Sequence, residues 1–471
     1  MQSFRKKLTY KAYISLIKDA LRGKEQDYTK GSIKRALVLL SIPMIMEMVM
    51  ESLFAVVDIY FVSKLDDVDA VATVGLTESV LMIMESVAIG IAMAATAMVA
   101  RRIGEKNKEG ASRAAMQALL LGTAVAIILG ILSYNYADDI LRMMGGSETL
   151  VQKGTRYTQI ILGFNIVLML LFLFNGIFRG AGNAAIAMNT LYLANGINII
   201  LDPCLIHGYF FFPALGLEGA AIASVIGRGV GVIFQIYVLV KGSSIIRTKL
   251  SYLKPNLPLL KNLTRVSLGG AGQFLISTAS WIFLVKILAE FGSAVLAGYT
   301  IGIRVIIFTI LPSWGMSNAT ATLVGQNLGA GNADRAEKTV WLAGKFNVIL
   351  LFMITIICVV FPKPIITFFT SDPETIQHGI TCLRFVVLGY IFYAYQMVLG
   401  QAFNGAGDTY TPSLMNFYAL WLFQIPAAYI LAKTLGFGPQ GVYMAINFSS
   451  VVLTLLLYWK FKQGKWKEFK I

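Results

Sequence analysis

Twelve stretches of mostly apolar residues follow one another along the chain, at about 36–63, 69–100, 115–134, 157–178, 184–206, 218–240, 263–288, 294–325, 340–362, 379–403, 411–433 and 438–460. An α-helix needs roughly 20 such residues to cross the ~30 Å hydrocarbon layer of a bilayer. Lipid offers no partner for backbone N–H and C=O groups, so segments of this length can only cross as helices. The predicted fold class is therefore an all-α polytopic membrane protein with 12 transmembrane helices. Composition agrees, with 56% hydrophobic and only 14% charged residues among 471. Soluble domains of this length are not so depleted in charge.

The formal net charge of +15 would point to nucleic acid in a soluble protein. Here it sorts by loop. Basic residues gather in the amino-terminal segment, after the second span (Arg101, Arg102, Lys106, Lys108, Arg113), after the sixth (Lys241, Arg247, Lys249, Lys254, Lys261, Arg265) and in the carboxyl tail (Lys460, Lys462, Lys465, Lys467, Lys470). The opposite loops carry acids, such as Asp66, Asp67, Asp69, Asp138 and Asp139. The positive-inside rule then predicts both termini in the cytoplasm and accounts for the charge with no nucleic-acid partner; the expected location is multi-pass in the plasma membrane, a bacterial inner membrane. In segment 1–32, Leu8, Tyr13, Ile14, Leu16, Ile17, Ala20 and Leu21 recur near helical spacing. That pattern predicts an amphipathic helix on the cytoplasmic membrane surface, with a soluble cap as the alternative.

The chain also repeats itself. Ala95-Thr-Ala-Met-Val-Ala-Arg-Arg-Ile-Gly104 matches Thr320-Ala-Thr-Leu-Val-Gly-Gln-Asn-Leu-Gly329 at an offset of 225, and the same offset aligns Phe178-Arg-Gly-Ala-Gly-Asn183 with Phe403-Asn-Gly-Ala-Gly-Asp408. Each matched pair falls after an even-numbered span, so the halves share one orientation. The expected organisation is two parallel six-helix bundles, an N-lobe over 33–240 and a C-lobe over 263–460. A basic cytoplasmic linker (241–262, with Pro255 and Pro258) joins them, and a basic tail (461–471) follows. Repeat transporters of this build bind substrate between their bundles.

The repeat is also an internal control on where chemistry can live. Intramembrane acids of the first half are Glu47, Glu51, Asp58, Glu78, Glu85 and Asp202, and the offset of 225 turns them into Gly272, Ile276, Phe283, Ile303, Ile310 and Ala427. Buried charge is expensive in a bilayer and marks ion or proton paths. Maintenance of the fold does not predict charge in one half alone. Glu47, Glu51 and Asp58 fall near one helix face, and so do Asn195, Asn198 and Asp202. Should the two faces meet, a carboxyl pair with amide oxygens can take Na+ through oxygen ligands, or hold a proton. Arg228, Lys286 and Arg304 are predicted at membrane depth, either snorkelling or facing a cavity. Cys204, Cys358 and Cys382 show no paired spacing, and no HExxH, GxSxG or phosphate loop occurs, so an enzyme is not expected.

Pro43, Val57-Asp58, Val62, the Ala95–Gly104 stretch, Phe178-Arg-Gly-Ala-Gly182, Asn198-Ile-Ile-Leu-Asp202-Pro203 and Gly219-Ala-Ala-Ile-Ala-Ser224 together resemble the multidrug and toxic compound extrusion family. The resemblance implies two lobes around a central cavity, alternating access, and export of amphipathic, often cationic, drug-like molecules in exchange for Na+ or H+. It implies no cofactor beyond that coupling ion, and the chain is expected to act as a monomer in the bilayer. In the DinF-like branch the resemblance places coupling on Asp58, Asn198 and Asp202, with Ser224 standing where a threonine is expected. The NorM-like branch adds two carboxylates in spans seven and ten, which here align with about Ser277 and Tyr393, so that second site is expected to be missing. Asn195, Glu47, Glu51, Gln273, Tyr393 and Gln396 are expected either just behind the coupling residues or lining the cavity. The alternative function is a lipid-linked oligosaccharide flippase of related architecture, which would want an Arg/Lys-lined cavity.

Overall fold

A computed structural model describes residues 10–23, 26–65, 67–210, 212–241, 245–247 and 249–471. Leu8 and Asp66 lie outside them, as does the Tyr13 side chain. The described residues form helices and connecting turns throughout. Among the described residues, eleven helices are long and apolar enough to cross a membrane, and twelve crossings result when the bent pair is taken as one span. The predicted fold class is borne out.

After α1 (Tyr10–Leu21), the first bundle comprises α2 (Ile33–Ser63), α3 (Val68–Gly104), α4 (Lys108–Asn135), α5 (Ala137–Met143), α6 (Glu148–Gly163), α7 (Asn165–Gly180), α8 (Ala184–His207) and α9 (Gly216–Val240). The second comprises α10 (Leu257–Ala289), α11 (Ser293–Gly329), α12 (Ala333–Val360), α13 (Pro362–Thr367), α14 (Pro373–Val387), α15 (Tyr390–Ala406), α16 (Tyr410–Asn416), α17 (Ile425–Tyr429) and α18 (Pro439–Lys462). Widened π-type turns over Phe417–Gln424 and Ile430–Thr434 make α16 and α17 parts of one crossing.

The sequence offset of 225 holds in the coordinates. Adding it to the bounds of α3 and α4 gives those of α11 and α12 residue for residue. It also maps the α6–α7 break onto the α14–α15 break. At each break a side-chain amide donates to a carbonyl of the preceding turn, in keeping with the need to satisfy broken helices at membrane depth. Asn165 Nδ2 donates to the Leu162 carbonyl at 2.7 Å. In the second bundle Asn447 Nδ2 donates to the Phe385 carbonyl at 2.6 Å, and the two helices bend by 55°.

Helix ends follow ordinary capping chemistry. Ser32 Oγ accepts from the Arg35 amide and Asn256 Oδ1 from the Leu259 amide, which starts α2 and α10. Pro258 therefore sits in the first turn of α10, where its missing N–H costs nothing, rather than in a loop. The carboxyl tail also departs from a plain basic tail: Trp466 is buried under Phe461, with ring centroids 4.7 Å apart. Segment α1 lays Leu16 and Ala20 against the bundle and leaves Ile17 and Leu21 exposed.

The bundles meet through α3 against α10 and α11 against α2 and α3. Their closest approach is at the end of the molecule that carries both α1 and the tail. A Cβ on Gly104 would lie 2.0 Å from the Gln326 carbonyl oxygen, and one on Gly329 would lie 2.1 Å from that of Arg101. Residues 101 and 326 are themselves repeat partners, so this seam is built around a pseudo-two-fold axis. Across it, Gln326 Nε2 donates to the Gly180 carbonyl at 3.1 Å, and Arg101 Nη2 reaches the Phe469 carbonyl of the tail at 2.7 Å.

Candidate functional site

Three neighbouring helices of the first bundle bring the carboxylates together. Asp58 lies near the end of α2, Asn198 and Asp202 one turn apart on α8, and Ser224 on α9. Asn198 and Asp202 share a face because residues four apart stack on a helix. All four side chains are buried, Asn198 and Asp202 completely. Ser224 Oγ donates to Asp58 Oδ1 at 3.0 Å, and Asn198 Nδ2 donates to Asp202 Oδ1 at 3.1 Å. Asn198 also reaches Asp58, and the two carboxylates lie within electrostatic range of each other. Two oxygens are left over: Asn198 Oδ1 and Asp202 Oδ2 are buried without a hydrogen-bond partner.

An unpartnered buried acceptor costs about 1–3 kcal/mol, more when charged. Two such oxygens beside a second carboxylate make a donor set suited to a hard cation or a proton. The set holds two carboxylates, one amide and one hydroxyl; no group of three or more His, Cys, Asp or Glu that could hold a metal ion occurs among the described residues.

The remaining acids of α2 go elsewhere. Glu47 pairs with Arg179 of α7 at 3.3 Å, both side chains largely shielded from solvent. Glu51 lies within range of Arg228 and Arg179. Arg228 stacks over the Phe54 ring at 4.4 Å, and its charge also reaches Asp58, Glu78 and Glu85. The α2 face is thus split: Asp58 joins the α8 stripe, while Glu47 and Glu51 are served by guanidinium groups. Asn195 Nδ2 donates to the Met50 carbonyl at 2.9 Å, so it ties α8 to the Glu47–Glu51 level of α2, about two turns from Asp202. Arg304 is exposed, within range of Glu78, and Lys286 is exposed near the end of α10.

Two participants were missed from sequence. Arg179 belongs to the repeated Phe-Arg-Gly-Ala-Gly motif but was not read as a charge at depth. Its repeat partner is Asn404, just as that of Glu47 is Gly272, so the pair is absent as a unit from the second half. Tyr157 is buried and near Asp58 and Asp202, but an aromatic residue inside an apolar run carries no signal.

Gln273, Tyr393 and Gln396 do not join this site. They line a cavity of about 460 Å³ inside the second bundle, where no lining residue carries a charge. Ser277 lines it too, donating to the Gln273 carbonyl at 2.9 Å.

Repeated helical bundles that cross the membrane, with buried acids confined to one of them, define a multi-pass membrane transporter. The MatE family pattern matches residues 43–204 and 271–430, and the chain belongs to that family. It is similar to the "Probable multidrug resistance protein NorM" of Thermotoga maritima, 28% identical over 93% of this chain and 94% of the relative. It is also similar to the "Multidrug export protein MepA" of Staphylococcus aureus, 22% identical over 81% of this chain and 84% of the relative. Among solved structures, one described as the outward-facing conformation of a multidrug resistance MATE family transporter of the MOP superfamily superposes with a TM-score of 0.88. Its sequence is 26% identical, and the match covers 94% of this chain and 99% of that one.

Proposed function

We propose that this protein is a secondary active antiporter that exports amphipathic, cationic drug-like molecules in exchange for Na+ or H+ held by Asp58, Asn198, Asp202 and Ser224. The observation that carries the reading is the pair of buried, unpartnered oxygens on Asn198 and Asp202, facing a second carboxylate. An ion or proton that satisfies them favours whichever conformation presents them together, and a differential affinity of that kind is what coupling requires. The close seam at the terminal end supports alternating access, with that end cytoplasmic and shut. A second carboxylate site of the NorM-like kind finds no support, because no lining residue of the second-bundle cavity is charged. The flippase alternative is weakened by Arg228, whose charge is already surrounded by acids.

Purified protein in liposomes, given Na+ and pH gradients separately, is expected to move a cationic dye under one of them. Asp58→Asn and Asp202→Asn should each abolish the driven component. Retention of driven transport by both variants would overturn the assignment.

A further inference from the structure

A recess of about 320 Å³ lies between α10, the α15–α16 turn and the end of α18, beside the tail. Unlike the uncharged cavity within the same bundle, it is basic. Arg265, Lys460 and Lys465 line it against one acid, Asp408, so three cations less one carboxylate leave +2. Asp408 is already served: its Oδ1 accepts from the Thr411 amide at 3.1 Å and its Oδ2 from the Thr411 hydroxyl at 2.6 Å. The cations are not. Among the described residues none of the three has an ion-pair or hydrogen-bond partner; Arg265 lies 5.8 Å from the Phe469 ring centre and Lys460 4.6 Å from that of Trp459. Their side chains are exposed or half-buried, so they are free to turn onto an anion.

The repeat again supplies a control. At the offset of 225, Arg265 becomes Leu40 and Asp408 becomes Asn183, and α9, which answers to α18, carries no basic residue beyond Arg228. Gly407 of the recess corresponds to Gly182. There Tyr28 packs so closely that its ring would lie 2.9 Å from a Cβ on Gly182, and its hydroxyl donates to the Gly182 carbonyl at 3.3 Å. An aromatic side chain of the chain itself thus covers the place in one bundle, and the other leaves a basic recess. The surroundings are those of a membrane boundary. Tyr410 in the lining and Trp459, next to Lys460, are both exposed, as Tyr and Trp are where headgroups begin. Arg265 sits two turns into α10, and Leu268, one turn further on the same face, is exposed and apolar. A wholly water-soluble anion would leave that apolar surface uncovered.

We propose that this recess binds the phosphate of an anionic membrane phospholipid, held by Arg265, Lys460 and Lys465, with the acyl chains running along the outside of α10. Basic recesses between membrane helices are suited to such headgroups, and each Lys or Arg near an anionic surface contributes about 1 kcal/mol, or roughly fivefold in affinity. The site is independent of ion coupling: it lies in the other bundle, and Asp202→Asn is expected to leave it intact.

The probes are dioleoylphosphatidylglycerol, dioleoylphosphatidylcholine, whose choline cancels the phosphate charge, and glycerol phosphate, which has no chains. Each is titrated into the full chain in a neutral detergent and followed by native mass spectrometry. Phosphatidylglycerol is expected to bind roughly tenfold more tightly than either of the others. Arg265→Gln and Lys465→Gln should each weaken it roughly fivefold. Lys261→Gln and Lys462→Gln remove exposed charges from α10 and α18 that do not line the recess, and should leave it unchanged. Equal binding of the two lipids, or equal weakening by the two sets of variants, would overturn the proposal in favour of diffuse attraction to a basic face. Glycerol phosphate binding as tightly as phosphatidylglycerol would overturn it in favour of a site for a free anion. The three-probe comparison uses the wild-type chain, so poor folding of a variant does not shelter it.

Discussion

Gly104 of the first bundle backs onto the Gln326 carbonyl of the second, so closely that a Cβ would sit 2.0 Å from the oxygen. The mirrored contact, Gly329 against Arg101, makes the seam self-consistent: both glycines must stay bare for either to pack. Gly104→Val is expected to force this end apart. Spin labels at Lys108→Cys and Asp334→Cys, both exposed, should report a longer mean distance in the variant, and the native cysteines are buried and silent. An unchanged distance distribution would mean that the seam yields elsewhere.

The Glu47–Arg179 pair gives a test of its own. Removing one member of a buried ion pair strands the other and costs about 3–5 kcal/mol, whereas removing both is often near neutral. Glu47→Gln is expected to lower thermal stability in detergent strongly. The double variant Glu47→Gly with Arg179→Asn, which copies the second bundle, should recover most of the loss.

Ser224 supplies the hydroxyl that Asp58 accepts from at 3.0 Å. A hydrogen bond to a charged group contributes about 1.5–3 kcal/mol, so Ser224→Ala should shift the half-saturating ion concentration for transport by roughly tenfold or more. Ser224→Thr restores a hydroxyl and is expected to stay close to wild type.

The tail ties the two bundles. Trp466 is packed within the second bundle, and Lys467 pairs with Glu337 at 2.6 Å. Arg101 and Arg102 of the first bundle donate to the Phe469 and Ile471 carbonyls at 2.7 and 3.2 Å. Trp466→Ala is expected to cost about 3–5 kcal/mol, read as a lower aggregation temperature, with widening of the same spin-label pair.

Outside the spans, Lys153 donates to Asp67 Oδ2 at 3.0 Å and holds that carboxyl below its ordinary range. A lowered folded value means the pair supports the loop above the ordinary carboxylate pKa, about 4, and loses that support as pH falls through the folded value. Hydrogen exchange at the Asp69 amide, which Asp67 caps, should be faster in Lys153→Met than in wild type at neutral pH. The difference should vanish in strong acid.

Crossings, repeat and carboxylates were legible because each leaves a mark in one dimension: a length of apolar run, a fixed offset, a charge where lipid forbids it. Asp58, Asn198, Asp202 and Ser224 were named from sequence, and the structure brings them together. The division of α2 was not legible, since the faces carrying Glu47 and Glu51 can be assigned only once Arg179 and Arg228 are placed opposite them. The tail was read by charge alone, and the burial of Trp466 depends on Phe461 turning over it. The 55° bend at the α14–α15 break is met by the amide of Asn447, which is far along the chain.

The separation of Glu47 from Arg179 sets a timetable for biosynthesis. The two are 132 residues apart, so at roughly 5–20 residues per second the guanidinium is made about 7–26 s after the carboxylate. During that interval α2 carries Glu47, Glu51 and Asp58 with neither Arg179 nor Arg228 yet synthesised, and each charge disfavours insertion by roughly 2.5–3.5 kcal/mol. The first spanning helix to emerge is therefore apolar but holds three acids without their partners. Until α7 and α9 arrive those acids have no guanidinium beside them, whereas α10 of the second bundle carries no acid and has none to wait for.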